Sequence, residues 1–249
     1  GLTLFFGLSG FLLYRPFATA LMTGDRFPAL GRYAGNRALR IFPAYIVITL
    51  LVSLVLGVAY ARPQAADEAT RNVVGYMFDP GLLAINLTML QSLFPFSIKT
   101  GLGVAWSLTV ELVFYVVMPL LAIAFMAVRR RVHGRHGLLL ALAPALAIFL
   151  IGVVGKIVKA AVFAGLPEGN DFYNEWGGSW SAVLARAFPT HADLFTFGMI
   201  AAVLIAAFEN GVIRPQYASR FRWSAFAIAG VAAVATRFVP HALLDTTFA

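Results

Sequence analysis

The stretch "WSLTVELVFY", Trp106 to Tyr115, opens an apolar run that continues to Val128 and holds one acid, Glu111. About 20 apolar residues carry a helix across a bilayer, so the run reads as a transmembrane helix with a carboxylate inside it. The rest of the chain agrees. Of 249 residues, 60% are hydrophobic and 12% charged, with a mean hydropathy of +0.82. One soluble core of this length would not hide that much apolar surface. The expected fold is therefore all-α, a polytopic transmembrane helix bundle; a β-barrel would show short alternating segments instead. The chain has no cysteine, which excludes disulfides, a thiol nucleophile and a cysteine metal site. No HxxxH or comparable pattern occurs, so no metal is expected.

About six spans are expected, near residues 1–14, 43–61, 103–128, 138–160, 190–208 and 223–243. The first is short and continues toward Met22, with Arg15 near its end. Segment 80–96 is weaker and reads as re-entrant or interfacial. Charge sets the orientation. Residues 15–40 carry five arginines against Asp25, 129–137 carry four arginines and no acid, and 209–222 carry three arginines against Glu209. Connections 62–102 and 161–189 hold most of the acids. The basic connections face the cytoplasm under the positive-inside rule. The net charge of +8 is thus read as membrane topology, with no nucleic acid partner. No linker divides the chain, so residues 1–249 form one membrane domain. With neither a Met start nor a signal peptide before Gly1, it is expected to be incomplete at the N-terminus and also at the C-terminus.

Glu111 lies about eight residues inside its span, roughly 12 Å along the helix. An ionisable group at that depth should face protein or water, either as a functional carboxylate or as a hydrogen-bond hub between helices. Ser107 and Tyr115 stand four residues to either side of it, and Trp106 fits an interfacial belt. In "GNRALRIFPAY" (Gly35–Tyr45), Arg37 and Arg40 are spaced to share a helix face just before Pro43. Two guanidinium forks suit phosphate oxygens, of a ligand or of lipid headgroups. In "LTLFFGLSGFLLYR" (Leu2–Arg15), Gly7, Ser9 and Gly10 form a small-residue patch for close helix approach or for a ligand tail. His191, beside Asp193 at the outer mouth of a span, is either a proton acceptor or a satisfied interfacial histidine. His133 and His136 belong to a basic inner loop, Lys156 and Lys159 read as snorkelling, and Asn86-Leu87-Thr88 matches a glycosylation pattern. "NEWGGSW" (Asn174–Trp180) has the aromatics and amides of a sugar-binding surface.

In their order and spacing, "LFFGLSGFLL", "NRALRIFPAY", "WSLTVELVFYVVMP" and, more loosely, "FPTHADLFTFGMIAA" resemble the acyltransferase-3 family of integral membrane O-acyltransferases. The resemblance implies a helical bundle that moves acyl groups, often acetyl, from cytoplasmic acyl-CoA. It also implies hydroxyl acceptors: envelope glycans, lipopolysaccharide, peptidoglycan, exported sugars or small lipophilic molecules. Acetyl-CoA is then the donor substrate, with membrane lipid and a carbohydrate or glycolipid acceptor as partners, in a bacterial inner membrane. Arg37 and Arg40 match the family's Arg-x-x-Arg pair for coenzyme A phosphates, with Arg15 as a further donor contact. Glu111 matches the carboxylate of the Trp-Ser-Leu-x-x-Glu motif, and Ser9 the Ser-Gly-Phe turn; these are the expected catalytic positions. Trp106, Ser107, Tyr115 and His191 are the expected substrate contacts. The family's histidine base lies in a span preceding Gly1. The rival reading is a proton-coupled transporter or flippase of lipid-linked sugars, which should show paired broken helices or inverted repeats. Neither is evident. Oligomeric state is left open.

Overall fold

The computed structural model describes residues 1–61, 74–131, 137–167 and 171–213. Contacts divide the chain into two compact units, Gly1–Leu204 and Ile205–Ala249. Among the described residues, four helices are long and apolar enough to cross a membrane: Leu2–Thr23, Leu30–Val55, Trp106–Arg131 and Gly137–Ala164. They are α1 (Leu2–Thr23), α2 (Leu30–Leu50, continued by a π-helical turn Leu51–Val55), α4 (Trp106–Arg131) and α5 (Gly137–Ala164). Between α2 and α4 come a two-residue hairpin, β1 (Ala59–Tyr60) with β2 (Val74–Gly75), then α3 (Pro80–Leu87) and a 3-10 turn, Gln91–Leu93. After α5 come three short helices, α6 (Asp171–Trp176), α7 (Trp180–Arg186) and α8 (Phe188–His191), then α9 (Asp193–Glu209). The expected span at 223–243 and the histidines His133, His136 and His241 lie outside the described residues.

The first span continues past residue 14 toward Met22, as expected. Helix α1 runs through Pro16 to Thr23 because Phe17, Ala18, Ala20, Leu21 and Met22 are all buried. It ends at Gly24, whose left-handed φ of 89° lets its N–H close on the Ala20 carbonyl. Helix α4 runs parallel to α1. Ser9 meets Glu111 near one end, and at the other the Arg129 Nη1 donates to the Leu21 and Met22 carbonyls. Those are orphan groups of a helix C-terminus, where a cation is favoured. Helix α5 runs back: Gly137 abuts Met22, and Ala141 accepts a 2.6 Å bond from the buried Tyr14 hydroxyl.

The expected boundary at Pro43 is corrected. Helix α2 starts thirteen residues earlier, at Leu30, with Pro43 inside it. Residues 30–42 are mostly good helix formers, and Pro43 forfeits a single backbone bond. The linker folds back so that Phe27 and Tyr33 both pack edge-on against Phe17. Ile41, Phe42 and Tyr45 pack with Leu112, Leu108 and Ala105, while Tyr33 hydrogen-bonds the Tyr115 carbonyl. Helix α2 is therefore antiparallel to α4, and its register sets Arg37 close to the level of Leu112.

Segment 80–96 does not cross. Asp79 caps α3 by accepting from the Leu82 N–H at 2.9 Å, with Pro80 opening the helix. Asn86 is fully buried and gives its Nδ2 to the Leu82 carbonyl and, at 2.8 Å, the Thr100 hydroxyl. Its amide is thus a structural fastener, which overturns the glycosylation reading.

Helix α9 packs by backbone approach. A Cβ on Gly198 would lie 1.7 Å from the Gly7 carbonyl oxygen, and one on Gly10 would lie 2.2 Å from the Phe195 carbonyl oxygen. Small residues permit this contact, as the Gly7–Gly10 patch predicts. Phe195 of α9 is stacked between Phe6 of α1 at 4.7 Å and Phe114 of α4 at 4.0 Å. Each such pair adds about 0.5–1.5 kcal/mol beyond area burial. In the second unit, described through Ile213, Asn210 Nδ2 donates to the Ala206 carbonyl at 2.7 Å.

Candidate functional site

One turn from that ring stack, three side chains meet on a single oxygen. The Ser9 hydroxyl donates to Glu111 Oε1 at 2.5 Å, and the Tyr115 hydroxyl donates to the same oxygen at 2.5 Å. Glu111 is only 4% exposed, so its carboxylate faces protein. Tyr115 was expected as the i+4 neighbour; Ser9, 102 positions away, is brought in by the parallel packing of α1 and α4. Ionised-group hydrogen bonds are short and strong, and the low local dielectric makes such a cluster rigid when satisfied. The Oε2 atom accepts from no side chain among the described residues, so the carboxyl keeps an acceptor position.

The Trp106 ring lies 5.1 Å from the His191 ring, and His191 also approaches Phe6 at 6.5 Å. His191 Nε2 lies 2.9 Å from the Ala185 carbonyl. A carbonyl only accepts, so Nε2 carries the proton and, in the neutral ring, Nδ1 is the basic atom. Trp106, His191, Ser9, Glu111 and Tyr115 therefore gather at one end of the α1–α4–α9 core.

Arg37 and Arg40 lie on α2, whose Tyr33 hydroxyl donates to the Tyr115 carbonyl. Arg37 is half-buried, and its Nε is enclosed without a partner among the described residues. Arg40 is exposed. The two arginines sit on the spanning helix rather than in a loop before it.

Two expected contacts are elsewhere. Ser107 turns its hydroxyl onto the Val104 carbonyl at 3.0 Å, at the start of its own helix. Arg15 is exposed, six residues beyond Ser9 and on a different face of α1.

The outer segments also differ from expectation. Lys156 pairs with Asp193 at 2.5 Å and Lys159 with Glu175 at 3.1 Å, so neither merely snorkels. The Trp176 ring carries two cations, Arg186 at 3.7 Å and Lys99 at 4.8 Å. With its ring engaged by them it is no open sugar platform, whereas Trp180 is 68% exposed. Burial pushes the Lys99 ammonium down to about 8, and the Arg186 charge adds to the effect. Burial likewise lowers Arg186 to about 10, opposed by Glu175. The spacing of Lys99 and Arg186 around Trp176 carries no motif, so sequence reasoning missed this clamp.

A family model described as an acyltransferase domain, that of the acyltransferase-3 family, matches residues 1–247. No curated protein and no solved structure matches the chain.

Proposed function

We propose, from the premise that this chain belongs to the acyltransferase-3 family of membrane acyltransferases, that it transfers an acetyl group from acetyl-CoA to a hydroxyl of an envelope carbohydrate or lipid-linked acceptor. The setting is a bacterial inner membrane. The observation that supports this best is the oxygen shared by Ser9, Glu111 and Tyr115, with Arg37 on α2, the helix whose Tyr33 hydroxyl bonds the Tyr115 carbonyl.

In this reading the acceptor hydroxyl docks against the vacant side of the Glu111 carboxylate, with Ser9 and Tyr115 fixing that carboxylate in place. Trp106 and His191 border the acceptor. The hydroxyl oxygen attacks the thioester carbonyl, the new C–O bond forms and the C–S bond breaks. The hydroxyl proton passes to a general base, a role the family resemblance gives to a histidine, and coenzyme A leaves as the thiolate. Arg37 and Arg40 attract the polyanionic donor and stabilise negative charge developing at the reacting end.

The test is transfer of radiolabelled acetyl from acetyl-CoA in membranes carrying the full-length protein. Glu111→Gln should lower transfer by about a hundredfold or more, the scale of a lost acid–base or orienting group. Arg37→Ala combined with Arg40→Ala should raise the acetyl-CoA KM. Wild-type transfer rates in the Glu111→Gln protein, with donor affinity intact in the double variant, would refute the assignment.

A further inference from the structure

The inner rim holds a second basic site, apart from the arginines of α2. A half-open cavity of about 260 Å³ is lined by Gly24, Asp25, Arg26, Phe27, Met126, Arg129 and Arg130. It lies where α1 ends and α4 delivers its last turn. Three guanidinium groups face one carboxylate, and that carboxylate receives the Thr23 hydroxyl at 2.7 Å. None of the three arginines is within ion-pair distance of an acid among the described residues.

The site is built around Arg129. Its Nη1 is tied to the Leu21 and Met22 carbonyls, which fixes the direction of the fork. Its Nε and Nη2 lie along Gly24, where a Cβ would come within 2.9 Å of Nη2. Gly24 also has a φ of 89°, a conformation that disfavours any larger residue. A glycine here thus serves both the turn and the close passage of the guanidinium. Phe27, held edge-on against Phe17, and buried Met126 supply an apolar wall. A fixed guanidinium, two exposed ones and an aromatic wall match a phosphate ester that carries a flat or apolar body.

We propose that this rim cavity binds a phosphate ester, with Arg26, Arg129 and Arg130 as its cations. Two molecules at a cytoplasmic membrane surface present that chemistry: the nucleotide end of the acyl-CoA donor, and an anionic phospholipid headgroup. The first rests on the donor proposed above. Arg129 lies eighteen residues beyond Glu111 on α4, about 27 Å at the helical rise. The long pantetheine arm would then run up past Tyr33 to the level of Arg37. The nucleotide would sit at the rim and the thioester beside Glu111.

Binding is measured on the purified protein, independently of turnover, with adenosine 3′,5′-bisphosphate and with adenosine as probes. Thermal stability is measured in parallel in nanodiscs of phosphatidylcholine alone and with phosphatidylglycerol. The variant is Arg26→Ala with Arg130→Ala, two exposed positions, which leaves the Arg129 cap intact. If the nucleotide end is the occupant, the bisphosphate binds, adenosine does not, and the variant loses about tenfold or more in affinity, the scale of one lost charge-assisted contact. If a lipid is the occupant, phosphatidylglycerol stabilises the wild type and not the variant. The proposal is overturned if neither response changes in the variant, or if the bisphosphate response is lost only in Arg37→Ala with Arg40→Ala. Wild-type acetyl transfer in Glu111→Gln membranes would overturn the proposed reaction and leave both binding responses untouched, so the two readings fail separately.

Discussion

At the scale of single residues, the carboxylate of Glu111 is governed by two hydroxyls that share one of its oxygens. Losing either donor leaves Oε1 with a partner; losing both leaves a buried acceptor unmatched, which costs about 1–3 kcal/mol. Ser9→Ala and Tyr115→Phe should each lower the unfolding temperature slightly, and the double variant by more than their sum. A double-mutant cycle on thermal unfolding in detergent should return a coupling of about 0.5–3 kcal/mol, and strict additivity would show that the two donors act independently. Part of this cluster was legible in the sequence. The depth of Glu111 announced a protein-facing carboxylate, and the i+4 spacing gave Tyr115. The partner on α1 was beyond reach, because which helices lie parallel is a tertiary fact. Ser107, the i−4 neighbour, does not join the cluster for a local reason. In the first turn of a helix a hydroxyl finds a nearby carbonyl, here that of Val104, before it finds a side chain a turn away.

At the scale of elements, α9 is joined to α1 by peptide groups in direct contact. Gly198→Ala would drive a methyl into the Gly7 carbonyl and the Phe11 N–H, so expression of folded protein should collapse, as read by size-exclusion chromatography. Gly7→Ala meets only the Leu194 carbonyl at 3.9 Å, an ordinary contact, and should fold normally. The small-residue motif told of close approach but not of this asymmetry, which depends on which glycine aims its missing side chain at the partner. The clamp of Lys99, Trp176 and Arg186 gives a second prediction. Because burial holds the folded-state Lys99 near 8, below its unfolded value of about 10.4, the unfolded chain binds the extra proton between those two values. Stability from this group therefore rises as pH climbs from about 8 toward 10.4. Below that window the full penalty for a buried charge is present. Lys99→Met should remove this rise, so the wild-type minus variant difference in unfolding temperature should increase from pH 7.5 to 10. A flat difference would mean that Lys99 titrates normally.

For the molecule as a whole, charge patterning gave the orientation, and the parallel course of α1 and α4 agrees with it. Arg129 seals the end of α1, which places the two basic ends on one face. The native chain has no cysteine, so single cysteines report topology on a clean background. Arg131→Cys and Gly165→Cys, both at exposed positions, should label from opposite sides of sealed vesicles, the first only from the cytoplasmic side. Labelling of both from one side would invert the topology. What composition could not convey is how far α2 reaches into the bundle. Its first turns carry Arg32, Arg37 and Arg40, which read as a loop by charge, yet they are helical and level with apolar residues of α4. Fold class follows from hydropathy alone; depth follows from the fold-back of a short linker onto Phe17.

The contact of Gly198 with Gly7 has a mechanical corollary. Two peptide backbones pressed together without an intervening side chain cannot slip lengthwise, since the carbonyl of one lodges against the Cα of the other. They can swivel. Helix α9 is thereby pinned to α1 as one blade of a pair of shears is riveted to the other. Movement of α9 against α1 is therefore rotation about that rivet, which lies two residues from Ser9 in α1.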